Sequence, residues 1–228
     1  MQKPVAFFDI DGTLFRSSLL IEVVEQLFAT GVFPKEAREE YAEAHQAWLD
    51  REGDYEDYID AVVAVFRTNL RGVHYGSLAD IGREVVASRN KRVYRYTRDL
   101  IKQLKKDGYL LVAISQSPKT ILDDFCKQYG FDKVYGRMYE IGPQDRFTGE
   151  VIDEHLIANK ANIVSRVLER ENVTIEGSIG VGDTEGDITL LEAVEKPICF
   201  NPNRSLFDHA KLRGWKVVLE RKDVIYEL

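Results

Sequence analysis

Acidic residues gather at two places where an apolar run stops. One is Asp9-Ile10-Asp11-Gly12-Thr13, after residues 4–8; the other is Gly182-Asp183-Thr184-Glu185-Gly186-Asp187, after residues 178–181. A further apolar run, residues 110–114, stops at Ser115-Gln116-Ser117. In open α/β sheets ligands bind beyond the carboxyl ends of the strands, so topology alone would draw these ends together. Asp9, Asp11, Asp183 and Asp187 in one small space would repel one another. A hard divalent cation would offset that repulsion, and an oxygen-only ligand set suits Mg²⁺ rather than zinc. The charges of Mg²⁺ and one lysine balance those of Asp9, Asp183 and Asp187, so that a phosphate dianion would no longer be repelled. The chemistry implied is metal-dependent work on a phosphate.

The elements that must position these residues follow from hydrophobic patterning. Residues 4–10 form a short, nearly continuous apolar run, expected in a buried parallel strand. Residues 110–114, 178–181 and 197–200 repeat the pattern, and residues 216–219 are expected to add an edge strand. Helical patterns over 94–106, 120–129 and 161–171 alternate with them, which predicts a doubly wound α/β fold with a mostly parallel sheet. Residues 17–89 break the alternation. They hold amphipathic helical segments near 19–29, 35–49, 55–70 and 77–88, separated by Gly31, Gly53, Gly72 and Gly76. The expectation is a catalytic core of 1–16 and 90–228, with a helical bundle of 17–89 inserted as a cap. Trp48, Tyr55, Tyr58 and Phe66 are read as core residues of that bundle. Hinges are expected near residues 15–18 and 89–93.

Charge narrows the partners. The chain has 228 residues and a formal net charge of -7, which disfavours nucleic-acid binding through bulk positive charge. The basic stretch from Arg89 to Arg98 is read as a solvated helix start. No apolar run approaches the ~20 residues that span a bilayer, so no membrane partner is expected. Cys126 and Cys199 are the only cysteines; Cys126 falls in a helical pattern and Cys199 in an apolar strand pattern, so both are expected to be buried, and a reducing, cytoplasmic setting follows. His45, His74, His155 and His209 are scattered and suggest no metal site. The expected partner is a small phosphorylated molecule. No oligomeric state follows from the sequence.

Phe7-Phe8-Asp9-Ile10-Asp11-Gly12-Thr13-Leu14 resembles the first motif of the haloacid dehalogenase superfamily, Ser115 its second, Lys160 its third and Gly182 to Asp187 its fourth. Helices between the first two motifs, and 23 positions between Lys160 and Asp183, are similar to the phosphoserine phosphatase-like branch. The resemblance implies a phosphatase that forms an aspartyl-phosphate. Asp9 would be the nucleophile and Asp11 the acid and base. Ser115, Lys160, Gly12 and Gln116 would bind phosphate, with free amides near Asp11 and Gly12 contributing. Mg²⁺ would be held by Asp9, Asp183 and the Asp11 carbonyl, with Asp187 ordering metal-bound water or steadying Lys160. Phosphoserine phosphatases carry a glutamate nine residues beyond the nucleophile, where this chain has Ser18. A phosphomonoesterase with another leaving group is therefore favoured over phosphoserine phosphatase itself. A phospho-relay or phosphate-binding module is the non-enzymatic alternative.

Overall fold

The computed structural model describes residues 2–228; Met1 lies outside it. The first strand, β1 (Lys3–Asp9), buries Val5, Ala6, Phe7 and Phe8 completely. Ala6 and Phe8 face one apolar layer, Val5 and Phe7 the other, as period-two alternation in a doubly covered sheet requires. Its parallel neighbours are β2 (Leu110–Pro118) and β5 (Val173–Gly182), so Asp9 ends a central strand. Beyond β2 come β3 (Lys133–Ile141) and the antiparallel β4 (Phe147–Ile152). Beyond β5 come β6 (Lys196–Phe200), β7 (Lys216–Arg221) and β8 (Val224–Glu227). The result is an eight-stranded α/β sheet in the order β4-β3-β2-β1-β5-β6-β7-β8. It is parallel at its centre and antiparallel at both margins. The sequence expectation that residues 216–219 form the edge is corrected: β8 covers β7 through a turn at Lys222, whose φ is 54°.

Between β1 and β2 the chain is helical. It runs through α1 (Leu19–Ala29), α2 (Ala42–Asp50), α3 (Tyr55–Leu70) and α4 (Tyr75–Arg89), then α5 (Arg95–Lys106), which lies against the sheet. The stretch expected as one helix over 35–49 is instead a 3₁₀ segment, Lys35–Tyr41, followed by α2. Only Ala37 and Tyr41 of the 3₁₀ segment are buried, and the Tyr41 hydroxyl is drawn to Glu25, 2.5 Å away. Asp54 starts α3 by accepting a hydrogen bond from the Asp57 amide at 3.0 Å. Leu19, Val23, Leu27 and Phe66 of these helices bury fully in the same apolar layer as Phe8. Each such side chain contributes roughly 1.5–3 kcal/mol. The chain leaves and rejoins the sheet at one place, where Phe15 bridges Val93 and the Arg16 amide donates to the Arg92 carbonyl at 2.9 Å.

The other face is covered by α8 (Lys160–Arg170), whose Ile163, Val164 and Val167 pack on Val5 and Phe7. Beside it lie the short α7 (Glu154–Ala158) and α9 (Ile188–Glu192), with α10 (Arg204–Arg213) against β6 and β7, while α6 (Lys119–Tyr129) packs on the first face. Cys126 and Cys199 are both free and buried. Among the described residues no helix is long and apolar enough to cross a membrane. The basic stretch is largely neutralised: Arg89 and Arg92 each reach Glu22 at 3.0 Å, and Arg98 reaches Asp99 at 2.8 Å.

Candidate active site

The carboxyl ends of β1, β2 and β5 converge, and the polar residues singled out from sequence converge with them. Asp9 is the last residue of β1 and is 6% exposed. Lys160 opens α8 and points inward, donating to Asp9 Oδ1 at 2.6 Å and Asp187 Oδ1 at 2.5 Å. Asp187 Oδ2 accepts from the Asp183 and Thr184 amides at 3.0 and 3.1 Å, which closes the turn after β5. Asp183 Oδ1 accepts from the Thr13 hydroxyl at 3.0 Å. Oxygens of Asp9, Asp183 and Asp187 lie within 4.8 Å of one another. Asp9 Oδ2 is buried and has no hydrogen-bond partner among the described residues.

The electrostatics of this trio are those of a site with too much negative charge. Burial raises the Asp9 pKa well above the carboxylate range; Lys160 opposes the rise, while Asp187 and Asp11 add to it. Asp183 is raised in the same way, by burial first and then by Asp9 and Asp187. Burial alone would discharge Lys160, but Asp187 and Asp9 more than reverse it, and its pKa is raised. A buried, unpartnered carboxylate oxygen among three acids and one ammonium fits a small hard cation such as Mg²⁺, and the all-oxygen donor set does too.

Asp11 sits apart from the trio. Its Oδ1 accepts from the Leu19 amide at 2.5 Å, standing in for the missing side-chain cap of α1, since Ser18 makes no such bond. Its Oδ2 accepts from the Ser117 hydroxyl at 2.8 Å and from the Ser115 hydroxyl. Burial raises its pKa, against the pull of those three hydrogen bonds. Ser115 is thus brought to the site but is turned to Asp11, and its oxygen also accepts from the Ser117 amide at 2.9 Å.

Gly12 requires a correction. Its amide donates to the carbonyls of Phe15 and Ser17 at 2.9 and 3.0 Å, so it is not free for phosphate. The glycine is needed for another reason: with φ at +81°, a Cβ there would stand 2.0 Å from Asp183 Oδ2. Only a bare α-carbon lets the first turn lie against the acid of the second.

A cavity of about 150 Å³ opens over Asp9, Asp11, Lys160 and Asp183. Gln116 and Ser117 line it from the sheet, and Tyr55, Ile59 and Val63 of α3 line it from above. A neighbouring hollow of about 620 Å³ shares Tyr55 and Asp183 and is walled by His45, Trp48, Tyr58, Tyr94 and Arg16. Tyr58 is buried in the bundle core with Phe66, and Trp48 and Tyr55 pack against it, as expected; Trp48, Tyr55 and Tyr58 also border this open space. Burial, then Asp11 and Asp183, raise the Tyr55 pKa and keep its phenol protonated. Sequence reasoning also gave no role to Ser117 or to Arg137, whose guanidinium meets Gln116. Ser117 carried a usable signal, since residues two apart on a strand share a face. Arg137 carried a fainter one: a cation inside a β pattern.

Comparison with known proteins adds family relations. The description of a haloacid dehalogenase-like hydrolase matches residues 6–192. A histidinol-phosphatase of Neisseria meningitidis is 25% identical over 221 residues, spanning 95% of this chain and 98% of that protein. A phosphoserine phosphatase of Streptomyces coelicolor is 29% identical over 196 residues, spanning 85% of this chain and 43% of its own length. Among solved structures, a phospho-aspartyl intermediate analogue of phosphoserine phosphatase superposes with a TM-score of 0.65 at 20% identity. That superposition covers 98% of this chain and 96% of the other.

Proposed function

Because this chain belongs to the haloacid dehalogenase-like hydrolases, in their phosphoserine phosphatase-like branch, and is a phosphoric monoester hydrolase, we propose that Asp9 is its covalent nucleophile. The observation that carries this reading is Asp9 Oδ2, a buried carboxylate oxygen without a partner in a cavity bordered by Lys160. An Asp9 oxygen attacks phosphorus in line, the bond to the leaving oxygen breaks, and an aspartyl-phosphate forms. Asp11, whose pKa is raised by burial, supplies the proton that goes to the leaving oxygen. It then takes a proton from the water that cleaves the aspartyl-phosphate, releasing orthophosphate and restoring Asp9. Lys160 holds Asp9 in place and offsets charge on the phosphoryl oxygens. Ser115 exchanges its bond to Asp11 for one to the phosphoryl group once substrate is bound.

Asp9, Asp183 and Asp187, with the Asp11 carbonyl, would hold Mg²⁺, which supplies the positive charge that admits a phosphate dianion. Residues 17–89 form a cap that closes over the cavity, with Tyr55, Ile59 and Val63 facing the leaving group. The two buried thiols fit a cytoplasmic setting.

The substrate is a small phosphomonoester other than phosphoserine. Ser18 stands where the amine-binding glutamate of phosphoserine phosphatases would be, and Glu22 is committed to Arg89 and Arg92. A second reading rests on the aromatic hollow: its Trp48, Tyr58 and His45 suit a flat, unsaturated leaving group, like that named for the Neisseria relative. Assay of the purified protein with and without Mg²⁺ on phosphoserine, histidinol phosphate and p-nitrophenyl phosphate tests both. Rapid turnover of phosphoserine alone overturns the substrate reading; full activity in EDTA overturns the metal reading.

A further inference from the structure

Arg137 lies on β3, opposite Pro118 at the end of β2, and is 8% exposed. None of the ion pairs among the described residues includes it, although nearby charges such as Lys133 and Arg67 are paired. Its Nε is buried without a hydrogen-bond partner, and its guanidinium lies close to the Tyr139 hydroxyl two residues on, where its charge works against the rise that burial gives the phenol pKa. Burying a guanidinium without a carboxylate is unfavourable, and an apolar side chain of similar length would pack there at less cost. Its one strong contact is Nη2 to Gln116 Oε1 at 2.6 Å.

That contact decides which way Gln116 faces. A guanidinium has donors only, so the atom it holds must be the carboxamide oxygen. The carboxamide nitrogen is then left for the cavity, where Gln116 sits beside Asp9, Ser117 and Lys160. A free carboxamide would turn either face inward, and its oxygen would repel a phosphate dianion. We infer that Arg137 is a positioning residue, which locks Gln116 so that its Nε2 donates a hydrogen bond to the phosphoryl group. The inference rests on the reading of this cavity as the phosphate site.

The test is binding of inorganic phosphate with saturating Mg²⁺, by calorimetry, to the wild-type chain and to Gln116→Leu, Arg137→Met, Arg137→Lys and the double variant Gln116→Leu/Arg137→Met. Loss of a hydrogen bond to a charged group weakens binding by about tenfold or more. Gln116→Leu should show that loss, Arg137→Met a smaller one because the freed carboxamide must be turned, the double variant no more than Gln116→Leu alone, and Arg137→Lys most of the wild-type affinity. Single-variant losses that multiply in the double variant, or an unchanged Arg137→Met, overturn the inference. Should Arg137→Met fail to fold, Gln116→Leu with undiminished affinity overturns it equally. Wild-type affinity tests the site itself, whereas the ratios among variants test Arg137, so the two failures are distinguishable.

Discussion

Asp9 and Asp11 are separated by one residue, yet their surroundings are opposite in kind. Asp9 meets an ammonium and two more acids; Asp11 meets two hydroxyls and a helix-end amide. The first setting is built around charge, and it is suited to a cation. The second is built around donors that contribute no net charge, so burial prevails and a proton is retained at higher pH. One strand end thus yields two chemically different carboxyl groups, because β1 stops at Asp9 and the turn that follows sends Asp11 to another wall. Sites that divide nucleophile from acid do so by such contrasts.

Breaking the charged setting should have the largest effect. Asp9→Asn keeps shape but removes the nucleophile, and turnover should fall about 10⁴-fold or more. Steady-state assay with Mg²⁺ checks this, and retained activity would rule out covalent catalysis. Asp11→Asn attacks the other setting, with an expected loss of about 10²–10⁴-fold. The loss should be smaller for p-nitrophenyl phosphate than for an alkyl phosphate, because nitrophenolate leaves without a proton; equal losses on both esters would remove Asp11 from the acid role.

Asp183→Asn sharpens the contrast through stability. The raised folded pKa of Asp183 means that protonation favours the fold: this stability is present below the ordinary carboxylate range and lost as pH rises through the raised value. At neutral pH, without metal, the variant should gain about 1 kcal/mol, a rise in Tm of about 2–4 °C for a chain of this size. It should also lose the Mg²⁺-induced increase in Tm that is expected of the wild type. A lower metal-free Tm would refute the view of an over-charged site. The smallest effect is expected of Ser117→Ala. One bond that favours the Asp11 carboxylate disappears, so the alkaline limb of kcat should move to higher pH. A shift to lower pH, or none, would dissociate Asp11 from that limb.

The acidic motifs were legible in the sequence because their chemistry is unusual where apolar strands end, and the sheet centre was legible because its runs are continuous. Other features depended on distant pairings. Tyr55 reads as an ordinary apolar helix position, and only the placement of α3 over Asp11 and Asp183 gives it a wall to form. The Gly12 amide reads as free until Phe15 and Ser17 fold back to it. Residues 224–227 are too short and too exposed to announce a strand, and they gain order only from the β7 edge beside them.

The doubled crossing at Phe15 and Val93 has a consequence for how such a protein can change over time. Because the two connections run side by side, everything between them is a loop whose ends already touch, and closing such a loop costs little more when it lengthens. Helices there can be added, shortened or exchanged while the strand ends keep their spacing. Selection can therefore rework what the protein accepts without disturbing how it reacts.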